Sequence, residues 1–310
     1  SSEKMRVLIV NTHDQQGGAA IAAYRLLEAL HKNNVSVEML TLHKQYNNER
    51  VVQVGHKWCN RARFVAERAV IYARNRFSRK HLFDVSIANT GVAITRHAAF
   101  KRADIIHLHW INQGMLSLPT LKQIVESGKK IVWTMHDMWP FTGICHHAGS
   151  CNHFTHGCGN CPYLVNPKEK DLSHTLFSRK EQIYAKGNIH FVGCSRWLSQ
   201  LALQSPLTLH QRVSTVANPL DIEMFAPKNK QRLRESMKLP LNKKIILFAA
   251  AKVSDRRKGI DYLIEASRIL ANEMSNEAMF LIAGAHSREI APLLALPAKE
   301  MGYVAAKDMP

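Results

Sequence analysis

The stretch MRVLIVNTHDQQGGAAIAAYRLLEAL at residues 5–30 decides the class of fold. Residues 5–11 are a short apolar run with β-branched side chains, which predicts a buried strand. A polar loop containing Gly17 and Gly18 follows, then a helix-like segment and a second strand-like segment at residues 36–42. A strand, a glycine loop, a helix and a strand in this order predict a parallel sheet.

The same pattern recurs along the chain. Residues 104–110, 130–135 and 189–194 are strand-like, with helix-like segments between them. After residues 218–227 a second unit begins with a buried-strand run at residues 244–251. The order of elements again predicts strands that lie parallel in one sheet.

The second unit is predicted to contain helices at residues 260–270 and 287–296 and strands at 278–284 and 302–304. We therefore expect an α/β protein of two Rossmann-like parallel-sheet domains, at residues 1–222 and 223–310. So few strands and helices leave the edges and faces of a parallel sheet uncovered. The second domain is therefore expected to be incomplete.

Composition narrows the class of protein. With 310 residues, 46% of them hydrophobic, the chain can form packed cores. It has no run of about 18 apolar residues and no apolar signal core at its start, so a cytoplasmic location is expected. The net charge of +18 favours an anionic partner: nucleic acid, an anionic membrane face or a phosphorylated substrate.

The segment at residues 56–83 carries many basic and aromatic side chains against one acid, Glu67. Such a helix can lie on an anionic bilayer at the inner face of the membrane. The alternative is a core-packed helix with a solvated basic face. Nucleic acid ranks lowest as a partner, because no recognised nucleic-acid module accompanies the charge.

Four cysteines crowd into a loop at residues 141–165, in the spacing C-x5-C-x6-C-x2-C: Cys145, Cys151, Cys158 and Cys161. In a cytoplasmic chain this cluster favours a closed structural zinc site with four thiolate ligands. Disulfides and reduced thiols are the alternatives. A four-sulfur site leaves no position for water, so any zinc here is expected to be structural.

Candidate ligand-binding groups lie where predicted strands end. Gly17 and Gly18 precede a helix, whose N-terminus suits a phosphate or carboxylate, although a tight turn explains them equally. His107 and His109 end one strand, and His136 with Asp137 ends the next. The carboxyl ends of parallel strands share one edge, so these groups are expected to converge on one cleft.

In the second domain the basic residues 256–258 precede Gly259 and a predicted helix. Cations beside a helix N-terminus suit a diphosphate, and an exposed basic turn is the alternative. Residues 17–18 do not match the G-x-G-x-x-G pattern, which argues against a dinucleotide dehydrogenase.

Taken together these segments resemble family 4 of the retaining glycosyltransferases, which have the GT-B architecture of two Rossmann-like domains. The most specific part is TMHDMWPFTG at residues 134–143, continuing through the four cysteines to CGNCP at residues 158–162. This part resembles a subgroup from bacterial capsule and exopolysaccharide gene clusters. Residues 195–198, 218–225 and 257–259 follow in the family's order.

The resemblance implies transfer of a sugar from a nucleotide diphosphate sugar to a lipid-diphosphate-linked or oligosaccharide acceptor, with retention and without an obligatory metal. By matching motif, His136 would lie near the transferred sugar and Gly18 near the donor diphosphate and acceptor. Lys258 matches the lysine that neutralises the leaving diphosphate. Lys252, Arg256 or Arg257 would serve as its partner, because the family's usual arginine is replaced here.

The family's glutamate pair, seven residues apart, has no counterpart here, and it is expected beyond residue 310. The chain as given is therefore expected to bind donor poorly and to have little transferase activity. The rival hypothesis is a non-catalytic metal-binding or membrane-adaptor protein with the same fold.

Overall fold

The computed structural model describes residues 4–305 and 308–309. The chain divides into two compact units, of which the first ends at Pro219 and the second begins at Leu220. This division lies close to the domain boundary expected after residue 222. Among the described residues, no helix combines the length and the apolar character needed to cross a membrane.

The first unit is built from strands and helices that alternate along the chain. Its strands are β1 Arg6–Val10, β2 Ser36–Thr41, β3 Val51–Gln53, β4 Ile105–Leu108, β5 Lys130–Met135, β6 Ile189–Gly193 and β7 Arg212–Thr215. Its helices are α1 Gly18–Lys32, α2 Lys57–Arg74, α3 Ala98–Arg102, α4 Leu118–Glu126, α5 Leu172–Tyr184 and α6 Arg196–Ala202. Neither β3 nor β7 was predicted from the sequence.

The seven strands form one parallel sheet in the order β3-β2-β1-β4-β5-β6-β7. Val7 of β1 pairs with Val37 of β2 on one side and with Ile105 of β4 on the other. The strands β2 and β3 therefore extend the sheet on one side of β1, and the later strands β4 to β7 extend it on the other side. The carboxyl ends of β1 and β4 form the topological switch point, where open parallel sheets bind ligands.

Both faces of this sheet are buried, as is typical of parallel sheets covered by helices. Along β1, Leu8 and Val10 pack into a core on one face, while Ile9 packs on the other face with Ala23 and Leu27 of α1. This alternation follows from the two-residue period of a strand. The helices thus hold the strand ends, and any site at them, in fixed positions.

The centre of the larger core is aromatic. Trp133 of β5 is fully buried and lies in contact with Phe191 of β6, Trp139 and Tyr184, with ring centroids 5.7 to 6.3 Å apart. The indole N–H of Trp133 donates to the carbonyl of His109, 3.0 Å away, so the only polar atom of the side chain is satisfied. The core is thereby tied directly to the end of β4.

The second unit contains strands β8 Lys244–Lys252, β9 Ala278–Ala285 and β10 Ala298–Gly302 and helices α7 Lys230–Ser236, α8 Ile260–Met274 and α9 Ser287–Ile290. The strands form a parallel sheet in the order β10-β9-β8. The central strand β9 is buried along all but its last residue, and its core includes Phe280 and Ile282 with Ile260 of α8.

Two predictions for the second unit were wrong in detail. The predicted strand at residues 302–304 instead ends at Gly302, after beginning at Ala298. The predicted helix at residues 287–296 breaks after Ile290 into a short 3-10 turn. Pro292 lies in that turn and lacks the N–H that an α-helix would need there. The predicted α/β class with two parallel-sheet units is confirmed.

The close approach of β6 and α6 gives a test of the packing that holds the strand ends. A Cβ atom at Gly193 would lie 2.1 Å from Oγ of Ser199 and 2.9 Å from its backbone nitrogen. We expect Gly193→Ala to lower the free energy of unfolding by about 1 to 3 kcal/mol, because the crowded backbone must shift. Urea unfolding followed by tryptophan fluorescence reports this unit alone, because all five tryptophans precede residue 220.

The matched control is Gly18→Ala at the start of α1, where no atom lies within 4 Å of the added Cβ. That variant should unfold at a urea concentration no lower than the wild-type protein, because alanine favours helix over glycine. Equal unfolding midpoints for both variants would contradict the tight β6–α6 packing.

Candidate active site

Gly17 and Gly18 form an open helix N-terminus at the switch point. Gly17 has a φ of 92°, in the left-handed region that favours glycine, and Gly18 is the first residue of α1. A Cβ atom on either glycine would meet no atom within 4 Å. The unpaired N–H groups of the first turn of a 15-residue helix are therefore accessible to an anion such as a phosphate.

The loops that follow β1 and β4 are joined by hydrogen bonds. Thr12 donates its backbone N–H to the carbonyl of Trp110 at 2.9 Å and its hydroxyl to the carbonyl of Asn112 at 2.8 Å. In return the Trp110 N–H donates to Oδ1 of Asn11 at 2.8 Å. The two loops therefore form one rim at the switch point rather than two independent segments.

Three histidines that were singled out from the sequence meet at the ends of β4 and β5. The ring of His109 stacks between those of His107 and His136, with centroids 4.5 and 5.2 Å away. Nδ1 of His109 lies 2.9 Å from Nε2 of His136, and Nε2 of His107 lies 2.8 Å from Oγ1 of Thr134. His109 is buried, whereas His107 and His136 are half-buried. His109 therefore packs against the rings of its two more exposed neighbours.

Burial keeps this cluster neutral. Burial, with repulsion from His136 and His190, lowers the pKa of His107 from 6.5 to about 4. Burial likewise lowers the pKa of His136 to about 4, although Asp137 opposes the shift. The pKa of His109 is lowered well below 6.5 by burial and by both neighbouring histidines. At neutral pH the cluster therefore offers uncharged imidazoles to a ligand.

The unpartnered nitrogen of His109 indicates how the protons are placed. Among the described residues Nε2 of His109 is buried and has no hydrogen-bond partner. A buried N–H without an acceptor is rarer than an unpaired acceptor, so the proton is assigned to Nδ1, which then donates to Nε2 of His136. His136 consequently carries its own proton on Nδ1 and can donate it in a hydrogen bond.

Asp137 is buried and its carboxylate is fully engaged. Oδ2 accepts from the indole N–H of Trp110 at 2.8 Å and lies 2.6 Å from Nδ1 of His146, while Oδ1 accepts from the N–H of Trp139 at 2.9 Å. Burial alone would raise the pKa of Asp137, but His146 and these hydrogen bonds outweigh it and lower the pKa. Asp137 thus fixes neighbouring loops, and His146 joins it as a residue the sequence reasoning did not assign to the site.

The network continues from His146 to helix α2. Nε2 of His146 lies 2.9 Å from Oγ of Ser86, which accepts from Arg68 at 3.3 Å. Arg68 forms a buried salt bridge of 2.9 Å with Glu67. Oε1 of Glu67 accepts from two backbone N–H groups, those of Ile87 and Ala88. Buried polar groups linked in this way cost stability when one member is removed, so the network specifies one arrangement of loops.

A second histidine pair lies on the other side of β1. The rings of His13 and His43 stack with centroids 4.6 Å apart, and the two residues form an isolated parallel bridge just beyond β1 and β2. Burial, with repulsion from His43, lowers the pKa of His13 to about 4. Sequence reasoning missed this pair, although the position of each histidine after a predicted strand was the signal that could have found it.

In the second unit the basic turn at residues 256–258 lies between β8 and α8, as predicted. Arg257 binds Asp255 through both Nε and Nη2, at 3.1 and 2.8 Å, and Arg256 binds Asp261 at 2.7 Å. Hydrogen bonding from Arg257 lowers the pKa of Asp255. Lys252 and Lys258 are exposed at the end of β8 and before α8, where a diphosphate could reach them.

The four cysteines of the loop at 141–165 line one small cavity, and no disulfide joins them. Burial raises the pKa of Cys145 and of Cys158 to about 12, and that of Cys161 to about 11. Across residues 4–305 and 308–309, no group of three or more His, Cys, Asp and Glu side chains is already placed to hold a metal ion. The zinc site therefore stays a prediction at this point.

The histidine cluster predicts an unusual dependence of stability on pH. The unfolded chain binds a proton at each histidine near pH 6.5, whereas folded His107 does so only near pH 4. The free energy of unfolding is therefore unaffected by His107 above pH 6.5, and it falls as the pH drops from 6.5 toward 4, because only the unfolded state takes up the proton. In His107→Gln the loss of unfolding free energy between pH 7.5 and 5 should be smaller by about 2 kcal/mol.

Urea unfolding followed by tryptophan fluorescence at both pH values measures this difference. The control is His210→Gln, at an exposed position, which should keep the wild-type loss on acidification. A His107→Gln protein that loses as much stability as wild type would show that His107 is protonated normally in the folded state.

Comparison with solved structures shows what the architecture is similar to. A glycosyltransferase from Rickettsia africae ESF-5 matches 97% of this chain and is covered over 69% of its own length, with a TM-score of 0.53 and 13% identity. An α,α-trehalose-phosphate synthase (UDP-forming) from Burkholderia xenovorans, in complex with glucose-6-phosphate, matches 98% of the chain and is covered over 76%, with a TM-score of 0.56 and 10% identity. At such identities the likeness shows the fold alone, and it confirms the predicted GT-B-like class.

Two comparisons of sequence identify the family. A segment of 88 residues is 32% identical to WcaC of Escherichia coli (strain K12), which is assigned by name to colanic acid biosynthesis as a glycosyl transferase. The match covers 26% of this chain and only 22% of the length of that relative. The family model described as Glycosyltransferase Family 4 matches residues 16–224, more than half of the chain. The chain therefore belongs to glycosyltransferase family 4.

Proposed function

We propose that this protein transfers a sugar from a nucleotide diphosphate sugar to a lipid-linked or oligosaccharide acceptor during exopolysaccharide biosynthesis, with retention at the anomeric carbon. The observation that carries the proposal is the rim at the switch point of a family 4 chain. There the open N-terminus of α1 lies at the end of β1, next in the sheet to β4 and its histidines. The partial match to WcaC supports the polysaccharide setting.

The first unit offers two kinds of groups for this chemistry. The N–H groups at Gly17 and Gly18 suit a phosphate oxygen of the donor or acceptor. The neutral imidazole of His136 can donate a hydrogen bond from Nδ1 to a sugar hydroxyl without adding charge. His107 and Thr134 complete the polar surface beside it, while His109 and Asp137 act as positioning residues.

The second unit offers cations for the leaving group. As the anomeric carbon–oxygen bond breaks, the diphosphate leaves with the electron pair and its negative charge grows. The acceptor oxygen forms the new bond and passes its proton to an oxygen of the departing diphosphate. We assign Lys258 to the growing charge and Lys252 as its companion, since Arg257 is already held in two contacts by Asp255. These side chains supply the positive charge, so no metal is required by this scheme.

Transfer by the whole protein tests the proposal. The first donors to test are radiolabelled UDP-sugars, because the structurally similar trehalose-phosphate synthase is UDP-forming. Radiolabelled GDP-sugars are tested next. With a polyprenyl-diphosphate-linked acceptor we expect a labelled product, whose anomeric coupling constant by NMR matches that of the donor. Lys258→Ala should reduce kcat about 10²- to 10³-fold, the usual cost of removing a group that stabilises transition-state charge.

The control for Lys258→Ala is Lys230→Ala, an exposed lysine at the start of α7 in the same unit, which should leave kcat unchanged. A product with the opposite anomeric configuration would refute retention. Absence of transfer and of donor binding for every sugar, with membrane binding preserved, would favour the non-catalytic adaptor instead.

We further propose that helix α2 and the segment after it place the protein on an anionic membrane, where a lipid-linked acceptor resides. The buried face of α2 is largely polar and includes Asn60, Glu67 and Arg68. Its exposed face carries cations together with large apolar side chains, of which Trp58 is 74% and Val65 54% exposed. A core-packed helix with a solvated basic face would bury its large apolar side chains, so α2 departs from that alternative.

Cations surround the exposed apolar side chains. The exposed basic residues of this membrane surface are Lys57, Arg61, Arg74, Arg76, Arg79 and Lys80. Phe77 and Phe83 are exposed among them, by 69% and 65%. The single acid within residues 57–83, Glu67, is buried in its salt bridge with Arg68. A surface of exposed aromatics and unopposed cations suits headgroups of anionic lipids.

Charge reversal tests the membrane surface. The triple variant Arg74→Glu, Arg76→Glu and Arg79→Glu should bind vesicles of phosphatidylglycerol and phosphatidylcholine at least about 100-fold more weakly, because each cation near the surface contributes about 1 kcal/mol. Co-sedimentation with the vesicles measures the affinity.

The matched control reverses three other exposed cations of the first unit, Lys122, Arg179 and Lys186, which line one shallow groove. Net charge falls equally in both variants, so binding to vesicles should fall strongly only in the first. An equal loss in both would mean that the protein responds to its overall charge and that α2 is not a membrane surface.

A further inference from the structure

The loop at residues 141–165 gathers four cysteines around one cavity of about 10 Å³. Cys145 and Cys161 are buried, and Cys151 and Cys158 are half-buried against the core. A space of this size is close to what one water or one ion needs. Ile144, Ala148 and Phe154 line the same cavity with apolar side chains.

The backbone around Cys158 is held in a rarely populated conformation. Four successive residues have positive φ angles: Gly157 (102°), Cys158 (58°), Gly159 (98°) and Asn160 (45°). A Cβ atom at Gly159 would lie 2.2 Å from the carbonyl oxygen of Glu169. Backbone hydrogen bonds from Cys158 to His153 and from Asn160 to Lys168 maintain this turn. Strain of this kind persists where it presents functional groups, here the cysteines at both ends of C-x2-C.

Hydrogen-bond donors are directed at the sulfur atoms. The backbone N–H of Gly143 donates to Sγ of Cys158 at 3.3 Å. A Cβ atom at Gly143 would lie 2.2 Å from the carbonyl oxygen of Ser173, so only glycine brings this N–H so close. A neutral thiol is a weak acceptor, whereas a thiolate is a strong one. The donor therefore suits a thiolate better than a thiol.

Lys180 is a buried amine that contacts the backbone just before Cys145. Its Nζ donates to the carbonyls of Trp139 and Thr142 at 2.6 and 2.9 Å and lies 3.3 Å from the centroid of the Trp139 ring. The side chain is fully buried, yet within the described part of the chain no salt bridge pairs it with a carboxylate. The hydroxyl of Thr142 in turn donates to the carbonyl of Cys145 at 2.7 Å, so Lys180 lies at the start of the cysteine loop. A buried cation is costly without a compensating negative charge.

From these contacts we propose that Cys145, Cys151, Cys158 and Cys161 bind one divalent, thiolate-preferring cation of the zinc class, with Lys180 as the charge partner of the resulting centre. Each thiol releases its proton to solvent as its sulfur–metal bond forms. Four thiolates and one divalent ion carry a net charge of −2, which the ammonium of Lys180 and the N–H of Gly143 offset. The four thiols are not already placed to hold a metal ion, so the sulfur atoms must move closer together on binding.

The proposed centre is structural. Four sulfur ligands fill a tetrahedral site and leave no position for water or substrate. Its place in the fold gives it a consequence for the active site, because Cys145 forms an isolated bridge with Val85 and directly precedes His146, which binds Asp137. The ion would therefore fix the loop that carries one partner of the buried Asp137 carboxylate. This inference stands independently of the proposed transferase activity.

Metal analysis of the whole chain tests the proposal. After purification under reducing conditions and dialysis against a weak chelator, we expect about one zinc per chain by mass spectrometry of the elements. Replacement by Co²⁺ should give thiolate-to-cobalt charge-transfer bands and the visible bands of a tetrahedral site. Cys158→Ser and Cys161→Ser should each abolish these bands, while Cys59→Ser, at an exposed cysteine on α2, should keep them.

A second measurement isolates the role of Lys180. Lys180→Met should weaken zinc affinity about 10- to 100-fold, the usual cost of removing an outer partner of a metal ligand, while Lys186→Met, an exposed lysine shortly after the same helix, should not. If the cysteine variants fail to fold, the cobalt spectrum of the wild-type chain still decides. Absence of zinc and of cobalt–thiolate bands, or disulfides among the four cysteines by peptide mass mapping, would overturn the proposal.

Discussion

The buried carboxylate of Asp137 is the constraint on which the carboxyl edge of the first sheet depends. A charge out of water costs several kcal/mol unless it is paired and hydrogen-bonded. Here the partners come from two connections: Trp110 follows β4, whereas Trp139 and His146 lie in the long connection between β5 and α5. Neither connection can rearrange without leaving the carboxylate short of a partner, so the edge forms as one unit.

This constraint links features that lie far apart on the surface of the first unit. From His146 the hydrogen bonds run through Ser86 to Arg68 and Glu67 on α2, the helix whose other face carries the exposed cations and aromatics. On the opposite side of Cys145 lies the cavity with four thiols and the buried Lys180. The connection that carries Asp137 and His146 is thus joined by hydrogen bonds to the buried face of α2, which explains why this helix buries Glu67 and Arg68.

The histidine cluster shows how the fold adjusts chemistry without adding charge. Stacked rings at the ends of adjacent strands desolvate each other, and desolvation disfavours the protonated form of each. Uncharged imidazoles still donate and accept hydrogen bonds, so the cluster stays polar without carrying charge.

Local patterns in the sequence were enough for the parallel α/β class, for the main strands and for the presence of glycines and histidines at strand ends, because burial imposes its period directly on neighbouring residues. The short edge strands β3 and β7 were not predicted, because strands of three or four partly exposed residues show too little alternation of apolar and polar side chains. Only the tertiary structure showed that His13 meets His43, that Asp137 is a hub and that Lys180 lies under Trp139. Contacts such as Trp110 with Asn11, separated by 99 residues, depend on which strands are neighbours, and that order follows from the packing of the whole sheet.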